Sequence, residues 1–299
     1  MTPLLVLRAG ALFLLLILFV VVGCPLQLAI AALFPRARSI LPLTLCKSLC
    51  VLMRIKVRRL GEMETRRPLL IVPNHISWLD IVVIGSAGYA CFLAKKEVRS
   101  WPLLGLLARV QGAVFVDRSR RMAIPGVNRE IAGRMLAGDP VILFAEGTTG
   151  DGTRLLKFHS SHFEAARDIL RGDPALREAW VQPVIVDYSR RDGLRLGRAG
   201  RADVAWYGDK GFAPHLLEML KSGPVECVVQ YVPAQAVTLA ETRKMMAKNV
   251  EITIRAERWQ DRRQKPRQEP APQPVQEPLQ ELRQEPRQEP LLVERGSHA

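Results

Sequence analysis

The chain has 299 residues and a formal net charge of +14, from 43 Lys and Arg against 29 Asp and Glu. A hydrophobic content of 48% excludes a chain that is disordered throughout, and the length allows one sizeable core. So basic a chain favours an anionic partner, either nucleic acid or a lipid surface. Because the sequence has no zinc-finger spacing, aromatic-basic RNA motif or basic heptad array, we expect a membrane and no nucleic acid as its partner.

The first 60 residues are predicted to insert into a membrane. No charged residue occurs between positions 9 and 35, a run long enough to enter a bilayer, and Pro25 is expected to interrupt it. A second apolar stretch, 40–53, leads into a basic cluster at 54–59. Basic residues at this place favour the cytoplasmic side for the domain after them, so we expect an inner (cytoplasmic) membrane location with the rest of the chain facing the cytoplasm.

Two alternatives remain open for this segment. One is a single spanning helix. The other is a cleaved signal peptide, because Val21-Val22-Gly23-Cys24 is typical of a lipoprotein processing site. The chain stays apolar after Cys24, whereas a processed lipoprotein turns into a polar linker, so the membrane-inserting interpretation is favoured.

A histidine and a carboxylate follow the first predicted strand, five positions apart. The apolar run 69–72 leads into the segment PNHISWLD at 73–80. His75 is suited to general base chemistry, and Asp80 could fix its tautomer. Since no Gly-x-Ser-x-Gly elbow or comparable Cys supplies a nucleophile, the base would activate a hydroxyl or a water of the substrate. As an alternative, Ser77-x-x-Asp80 is also a capping box that only completes a helix start.

Three further predicted strands end in polar loops. They cover 113–116, 141–145 and 181–186. The first ends at Asp117 and Arg118, and the second opens into the segment EGTTG at 146–150, whose amides could face an anion. Because ligands collect at the carboxyl ends of strands in open α/β sheets, we expect these ends to converge on one site.

Taken in order, these segments resemble the four sequence blocks of the glycerolipid acyltransferases, the lysophosphatidic acid acyltransferase family. The matching residues are Asn74-His75-x4-Asp80, then Gly112-x-x-Phe115-x-Asp117-Arg118, then Phe144-Ala145-Glu146-Gly147-Thr148, then the strand with Pro183. The resemblance is clear over 69–188. It implies an O-acyltransferase that moves a fatty acyl group from a thioester to the free hydroxyl of a lysolipid. The acceptor expected first is 1-acyl-sn-glycerol-3-phosphate, and the product would be phosphatidic acid.

The resemblance also implies a role for each matched position. His75 would deprotonate the acceptor hydroxyl and Asp80 would orient His75. Arg118, with Asp117, would hold the acceptor head group, the loop at 146–148 would bind the acceptor or support the tetrahedral intermediate, and Pro183 would shape the acyl side. The residues expected to bind substrate are Asn74, Lys95, Phe115, Asp117, Arg118, Glu146, Gly147, Thr148 and Pro183. No cofactor or metal is implied, and an acyl-carrier protein or coenzyme A thioester is the expected acyl donor.

The third block departs from the family pattern Pro-Glu-Gly-Thr-Arg. Ala145 replaces the Pro and Thr149 replaces the Arg. The positively charged guanidinium of Arg binds phosphate through two parallel hydrogen bonds, and Thr has no charge to replace it. The departure favours, as an alternative acceptor, lyso-ornithine lipid or a lysophosphodiester. The other cations available for a phosphate are Lys95, Lys96, Arg118, Arg154 and Lys157.

Two further chemistries use the same residues. A lipid hydrolase would direct His75 and Asp80 at water, and only the family resemblance favours transfer over hydrolysis. His159 and His162 could be zinc ligands together with Glu146 or Asp151, although a pair spaced i, i+3 more often decorates a helix start.

Apolar runs alternate with helical stretches over the central 200 residues. Further strands are predicted at 202–206 and 225–232, and helices at 129–136, 161–170, 214–220 and 241–257. This alternation predicts an α/β fold with a single mixed sheet flanked by helices, preceded by a membrane-embedded two-helix segment. The expected organisation is 1–60 for the membrane helices, 61–258 for the catalytic domain and 259–299 for a disordered Gln/Glu/Pro-rich tail, in which Arg-Gln-Glu-Pro recurs.

Overall fold

Nine strands form one mixed sheet in the computed structural model, which describes residues 3–117 and 121–263. The strands are β1 (Ile55–Leu60), β2 (Leu69–Pro73), β3 (Cys91–Lys95), β4 (Val114–Val116), β5 (Val141–Ile142), β6 (Ala179–Arg191), β7 (Leu194–Arg195), β8 (Val225–Tyr231) and β9 (Gln235–Val237). Their order is β1-β8-β6-β2-β5-β3-β4, with β7 and β9 also paired to β6. Pairing is antiparallel where β6 meets β7, β8 and β9 and parallel elsewhere, which confirms the expected mixed sheet.

Helices cover both faces of the sheet. The α-helices are α1 (Pro3–Leu18), α2 (Cys24–Leu33), α3 (Ile40–Leu52), α4 (Leu79–Ala87), α5 (Leu104–Val110), α6 (Ile124–Leu136), α7 (Glu164–Gly172), α8 (Arg198–Val204), α9 (Phe212–Lys221) and α10 (Arg243–Arg263). Successive side chains of a strand point to opposite faces, so β2 supplies Leu70 and Val72 to one core. That core packs against α6, α7 and α10, while Leu69 and Ile71 face a second core against α3, α4 and α9.

The N-terminal apolar segment is one continuous helical run over 3–33. A π-helical turn (Phe19–Gly23) joins α1 to α2, so the expected interruption at Pro25 is wrong. Proline lacks an N–H and crowds the preceding turn, and a wide π turn directly before it accommodates both effects. This helix is apolar and long enough to cross a membrane, and only 11% of its most apolar window is buried inside the protein. The next helix, α3, is shorter.

Four segments differ from their predicted structure. The expected strand at 202–206 begins instead with the last residues of α8 (Arg198–Val204), and this helix buries Val204 in the core on one face of the sheet. Strands β1 and β3 were not expected. Strand β1 is rich in basic residues and lies at the edge of the sheet, whereas β3 is a short, mostly buried strand between β5 and β4. Helix α10 continues to Arg263, past the expected boundary at 258–259. Most of the expected tail, 264–299, lies outside the described residues.

Candidate active site

The site lies at the carboxyl end of β2, in the middle of the sheet. Strands β5 and β6 flank β2 on either side, both parallel to it. The segments after β2 and β5 therefore emerge side by side at one edge, as expected for an α/β sheet. The loop at 74–78 leads from β2 into α4, and the loop at 143–160 comes after β5.

His75 and Asp80 are in direct contact. The Nδ1 atom of His75 is 2.8 Å from Oδ2 of Asp80. An ionised carboxylate accepts a hydrogen bond from the Nδ1–H group, which places the lone pair of the neutral ring on Nε2. No described residue bonds to Nε2, and the ring stacks on Phe144 with 3.9 Å between ring centroids. The imidazole is therefore oriented by a charge on one side and a flat apolar surface on its face.

Asp80 sits at the centre of a buried network. Its side chain has no solvent exposure. Besides the imidazole, Oδ2 accepts the backbone N–H groups of Ile76 (2.6 Å) and Ser77 (3.0 Å), and Oδ1 accepts the hydroxyl of Tyr188 at 2.8 Å. The bond from the Ser77 N–H is one half of the capping box at Ser77-x-x-Asp80, and the other half is missing because the Ser77 hydroxyl has no hydrogen-bond partner in the described part of the chain. Asp80 thus orients His75 and also supplies part of the helix start.

Tyr188 was not among the expected site residues. It lies on β6 beyond the end of the paired β2 strand, which brings its hydroxyl over the site. Burial, together with the neighbouring Asp80 charge, raises its pKa well above the ordinary value of 10, so it stays protonated and donates to Asp80. The one sequence signal for this role is that Tyr188 follows the predicted apolar strand at 181–186 by two residues.

Glu146 supports the backbone of His75. Its carboxyl is almost fully buried and accepts the N–H of His75 (2.6 Å) on one oxygen and the N–H of Leu156 (2.7 Å) on the other. Burial raises the pKa of Glu146 from 4.5 to about 7, an increase limited by these two N–H donors and by the charge of Arg258. Both carboxyl oxygens therefore contact the protein backbone, and the role implied by the resemblance, binding the acceptor or supporting the tetrahedral intermediate, stays a prediction.

The rest of the β5 loop closes against the His75 loop. The N–H of Gly150 donates to the carbonyl of His75 at 2.9 Å. Gly147 turns the chain at a φ of +73°, a conformation that favours glycine. Thr148, between them, is exposed, so of the expected loop residues it is the one with a side chain open to an acceptor.

Asn74 and Pro183 hold the sheet together beside the site. The buried Asn74 amide donates to the carbonyl of Val186 (3.1 Å) and accepts its N–H (2.8 Å). Pro183 is buried in β6 directly opposite Val72 of β2. Both positions act on the backbone of β6, and through it they set where Tyr188 lies.

The second sequence block lies at a distance from His75. Strand β4 is three positions from β2 in the sheet, about 14 Å at the usual strand spacing. There Asp117 pairs with Lys96 at 3.2 Å, Lys95 pairs with Glu97 at 3.6 Å, and Phe115 lies half-buried. Arg118, expected to hold the head group, lies outside the described residues.

Thr149, the residue that replaces the family's Arg, has a structural bond. Its hydroxyl donates to the backbone carbonyl of Trp206, and the N–H of Trp206 donates to the carbonyl of Ile76 at 3.0 Å. Trp206 is thereby fixed between the two loops of the site. Nearby, the ring of Phe212 packs against three indole rings. The distances between ring centroids are 5.0 Å to Trp78, 5.4 Å to Trp101 and 6.5 Å to Trp206. This half-buried group, which we name the aromatic cluster (Trp78, Trp101, Trp206 and Phe212), was not expected from the sequence.

Two histidines outside the dyad, His162 and His215, have side-chain partners in the protein. His215 accepts from the Trp78 indole at 3.0 Å, and burial lowers its pKa, which favours the neutral ring. His162 bonds to Asn128 at 2.8 Å, and Asp151 accepts from Thr153. In the described ranges, no group of three or more His, Cys, Asp or Glu side chains is arranged to hold a metal ion.

Comparisons with known proteins agree with this geometry. A sequence model of the family described as Acyltransferase matches residues 54–187. The chain is 42% identical to the lyso-ornithine lipid O-acyltransferase of Brucella abortus, over 67% of this chain and 75% of the relative, and 38% identical to that of Rhizobium meliloti, over 81% and 82%. It is 30% identical to the 1-acyl-sn-glycerol-3-phosphate acyltransferase of Neisseria gonorrhoeae, over 62% and 68%.

A solved structure has the same fold. The 1-acyl-sn-glycerophosphate acyltransferase PlsC of Thermotoga maritima superposes with a TM-score of 0.59, over 87% of this chain and 97% of that one. The two sequences are 18% identical. The match therefore concerns the fold, including the mixed sheet with its flanking helices.

Proposed function

The chain belongs to the acyltransferase family of lysolipid O-acylating enzymes, and from that premise we propose that its acceptor is lyso-ornithine lipid. The reaction is the transfer of an acyl group from a thioester to the free hydroxyl of this lysolipid. The observation on which the choice of acceptor rests is Thr149, whose hydroxyl bonds to the Trp206 carbonyl at the position where the family pattern has a phosphate-binding Arg.

The dyad geometry supports the reaction step. Nε2 of His75 takes the proton of the acceptor hydroxyl while the oxygen attacks the thioester carbonyl, and the proton then passes to the departing thiolate. Asp80 stabilises the imidazolium that exists between these two transfers. Because Asp80 is held by Tyr188 and two backbone N–H groups, it needs little rearrangement when the charge on the ring changes.

The choice of acceptor depends on the charge near the site. Binding a terminal phosphate requires cations, and a guanidinium supplies two parallel hydrogen bonds. Thr149 removes that group, and Lys95 and Lys96 are both exposed and paired with acids. A lysolipid without a phosphomonoester does not need such a cation. The relatives from Brucella abortus and Rhizobium meliloti are named for lyso-ornithine lipid, which supports this acceptor.

A second candidate acceptor is 1-acyl-sn-glycerol-3-phosphate. The Neisseria gonorrhoeae relative is named for it, and Lys95 and Lys96 lie at the carboxyl end of β3 on the site edge of the sheet. This acceptor would require one of the lysines to leave its acidic partner. Exposed ion pairs are worth about 0–1 kcal/mol, so such a rearrangement is inexpensive.

The enzyme would work at a membrane surface. The N-terminal helix exposes large apolar side chains, among them Leu7, Phe13 and Leu14. A lipid acceptor resides in the bilayer, and the apolar helix would hold the site beside it, with the domain on the cytoplasmic face of the inner membrane. The donor is an acyl-carrier protein or coenzyme A thioester, and no cofactor takes part.

Acceptor choice is tested by a ratio of specificity constants. Purified enzyme in mixed micelles is given a labelled acyl thioester and either lyso-ornithine lipid or 1-acyl-sn-glycerol-3-phosphate, and the products are separated by thin-layer chromatography. We expect the wild type to prefer lyso-ornithine lipid. Thr149→Arg should shift the ratio toward the phosphate acceptor, by about ten- to hundred-fold for one charged hydrogen-bonded pair.

Two control variants separate the effect of the added charge from the effect of losing the bond between the Thr149 hydroxyl and the Trp206 carbonyl. Thr149→Val removes the hydroxyl without adding charge, and Leu194→Arg adds the same charge at an exposed position on β7, outside the loops of the site. Only Thr149→Arg should move the ratio strongly. A wild type that prefers 1-acyl-sn-glycerol-3-phosphate, with a ratio that Thr149→Arg leaves unchanged, would support the second candidate acceptor.

A further inference from the structure

The C-terminal helix α10 reaches back to the loop that carries Glu146. Arg258 lies on its last turns, is only 8% exposed, and donates to the carbonyl of Gly152 at 3.1 Å. About two turns earlier on the same helix, Glu251 accepts the N–H of Phe158 at 3.1 Å. Two side chains of one helix thus bond to two backbone groups of the same loop, at Gly152 and Phe158.

The loop held in this way is the one that supports the general base. It begins with Glu146, whose two carboxyl oxygens bond to the N–H groups of His75 and Leu156. Leu156 lies between the two anchor points on Gly152 and Phe158. Gly152 itself lies against the His75 loop, because a Cβ atom at this glycine would be 3.3 Å from a methyl group of Ile76. A displacement of the 152–158 segment would therefore move both the Glu146 carboxyl and the His75 loop.

Arg258 also acts on Glu146 by its charge. The charged groups that influence the Glu146 carboxyl are Arg258 from α10, which lowers its pKa, and Asp80 from α4, which raises it. The backbone N–H groups of His75 and Leu156 lower it further, against the larger effect of burial. A buried guanidinium is the group on α10 that offsets the negative charge which Asp80 places near Glu146.

We propose that Arg258 is a positioning residue for the acyl transfer: from α10 it anchors the 146–158 loop through Gly152 and keeps Glu146 bonded to the backbone of His75. This inference rests on the proposed function, because the readout is the transfer reaction. It makes the last turns of α10 part of the site's support, although they lie far from the catalytic dyad in the sequence.

The test compares Arg258→Gln and Arg258→Lys with Arg255→Gln in the full-length chain. Arg255 is on the same helix, is 57% exposed, and pairs with the other oxygen of Glu251. For each variant, the turnover number and KM for lyso-ornithine lipid and the midpoint of thermal unfolding are measured between about pH 5 and 9, a range that brackets the usual pKa of histidine. We expect Arg258→Gln to lower the turnover number at least tenfold with little change in KM, and to displace the acidic limb of the pH profile toward higher pH. Arg258→Lys should return the acidic limb of the pH profile to its wild-type position, and Arg255→Gln should behave as the wild type.

Each failure has a separate meaning. If Arg258→Gln folds and keeps the wild-type pH profile and turnover, the positioning role is wrong. If Arg258→Gln does not fold, Arg258→Lys decides: a wild-type profile supports the role of the charge, and a displaced profile contradicts it. A wild type that transfers acyl groups to no lysolipid would overturn the proposed function instead, while the displaced pH dependence of thermal unfolding in Arg258→Gln would still support the contact between Arg258 and the Glu146 loop.

Discussion

The polar side chains at the carboxyl end of β2 are buried and hydrogen-bonded, whereas those at the carboxyl ends of β3 and β4 are partly or largely exposed. At the end of β2, Asp80 is fully buried, and four hydrogen-bond donors meet its two oxygens. At the ends of β3 and β4, the side chains of Lys96 and Asp117 are exposed by 60% and 21%. The same fold thus has a rigidly bonded end and an open one.

Under the proposed function, the buried end suits the chemical step and the open end suits recognition of a head group. Proton transfer requires the base at a fixed place and orientation, and a buried network provides both without reorganisation. Recognition of a head group can use long exposed side chains, whose ion pairs contribute about 0–1 kcal/mol each and exchange readily with a ligand. Changes at the buried end should therefore cost much activity, and changes at the open end little.

The largest effect should come from the base itself. We expect His75→Ala to lower the transfer rate by about two to four orders of magnitude, because general base catalysis is lost. Asp80→Asn should lower it nearly as much, although Asn is itself a good helix cap. Rates are measured with a labelled thioester and the unfolding midpoint serves as the control. A well-folded His75→Ala enzyme with normal turnover would contradict the mechanism.

Glu146 should make the folded state pH-dependent. Its pKa rises from 4.5 to about 7 on folding, so the folded state holds this proton more tightly than the unfolded state. The stability linked to Glu146 is complete below pH 4.5 and is lost as the pH rises to about 7, a loss of about 3 kcal/mol. When the unfolding midpoints of wild type and Glu146→Gln are plotted against pH across this window, the wild-type midpoint should fall more steeply as the pH rises. Parallel curves would mean that the Glu146 pKa is close to its ordinary value.

Removing one hydroxyl tests the Asp80 network more gently. Tyr188→Phe leaves one oxygen of a buried carboxylate without a donor, and a hydrogen bond to a charged group is worth about 1.5–3 kcal/mol. We expect stability to fall by that amount and turnover to fall with it, since Asp80 then moves more freely. The matched control is Tyr207→Phe, on an exposed tyrosine. Equal behaviour of the two variants would show that Asp80 does not depend on Tyr188.

The smallest effect should be at the open end. Lys96→Ala removes an exposed partner of Asp117, and we expect the free energy of unfolding to change by less than about 1 kcal/mol. Turnover of lyso-ornithine lipid should stay near the wild-type value. Chemical denaturation in detergent and the same transfer assay measure both. A tenfold loss, equal to about 1.4 kcal/mol, would mean that this end of the sheet takes part in the reaction.

The motif residues and the sheet were predictable because they depend on local pattern. An apolar run before His75 and Asp80 indicates a strand, a turn and a helix, and the structure has all three. The convergence of β2 and β5 on one edge is a consequence of parallel pairing alone. The assignment of Glu146 to the neighbourhood of His75 likewise needed only the order of the strands.

The partners of those residues were not predictable. Tyr188 is 108 positions from Asp80, and nothing local distinguishes its hydroxyl from that of any tyrosine at a strand end. Whether Glu146 faces the acceptor or the His75 backbone depends on how the 143–160 loop folds back, which no periodicity encodes. The helix α8 was mistaken for a strand because alternating apolar residues over so short a stretch fit both structures.

The π turn at Phe19–Gly23 fixes the rotational phase of the N-terminal helix. A π turn holds one residue more than an α turn, so removing one residue there would restore ordinary winding. Because the wider turn spreads that extra residue over nearly the same rotation and rise, the helices on either side of it would keep their relative orientation. Leu5 and Leu12 would still pack beside Leu220, and Arg8 would keep its bond to the carbonyl of that residue. Removing one residue from the regular α-helical stretch of α2 would instead rotate everything before it by about 100° and turn these contacts away from the domain. The π turn is therefore the place in the N-terminal helix where a single-codon deletion should be tolerated.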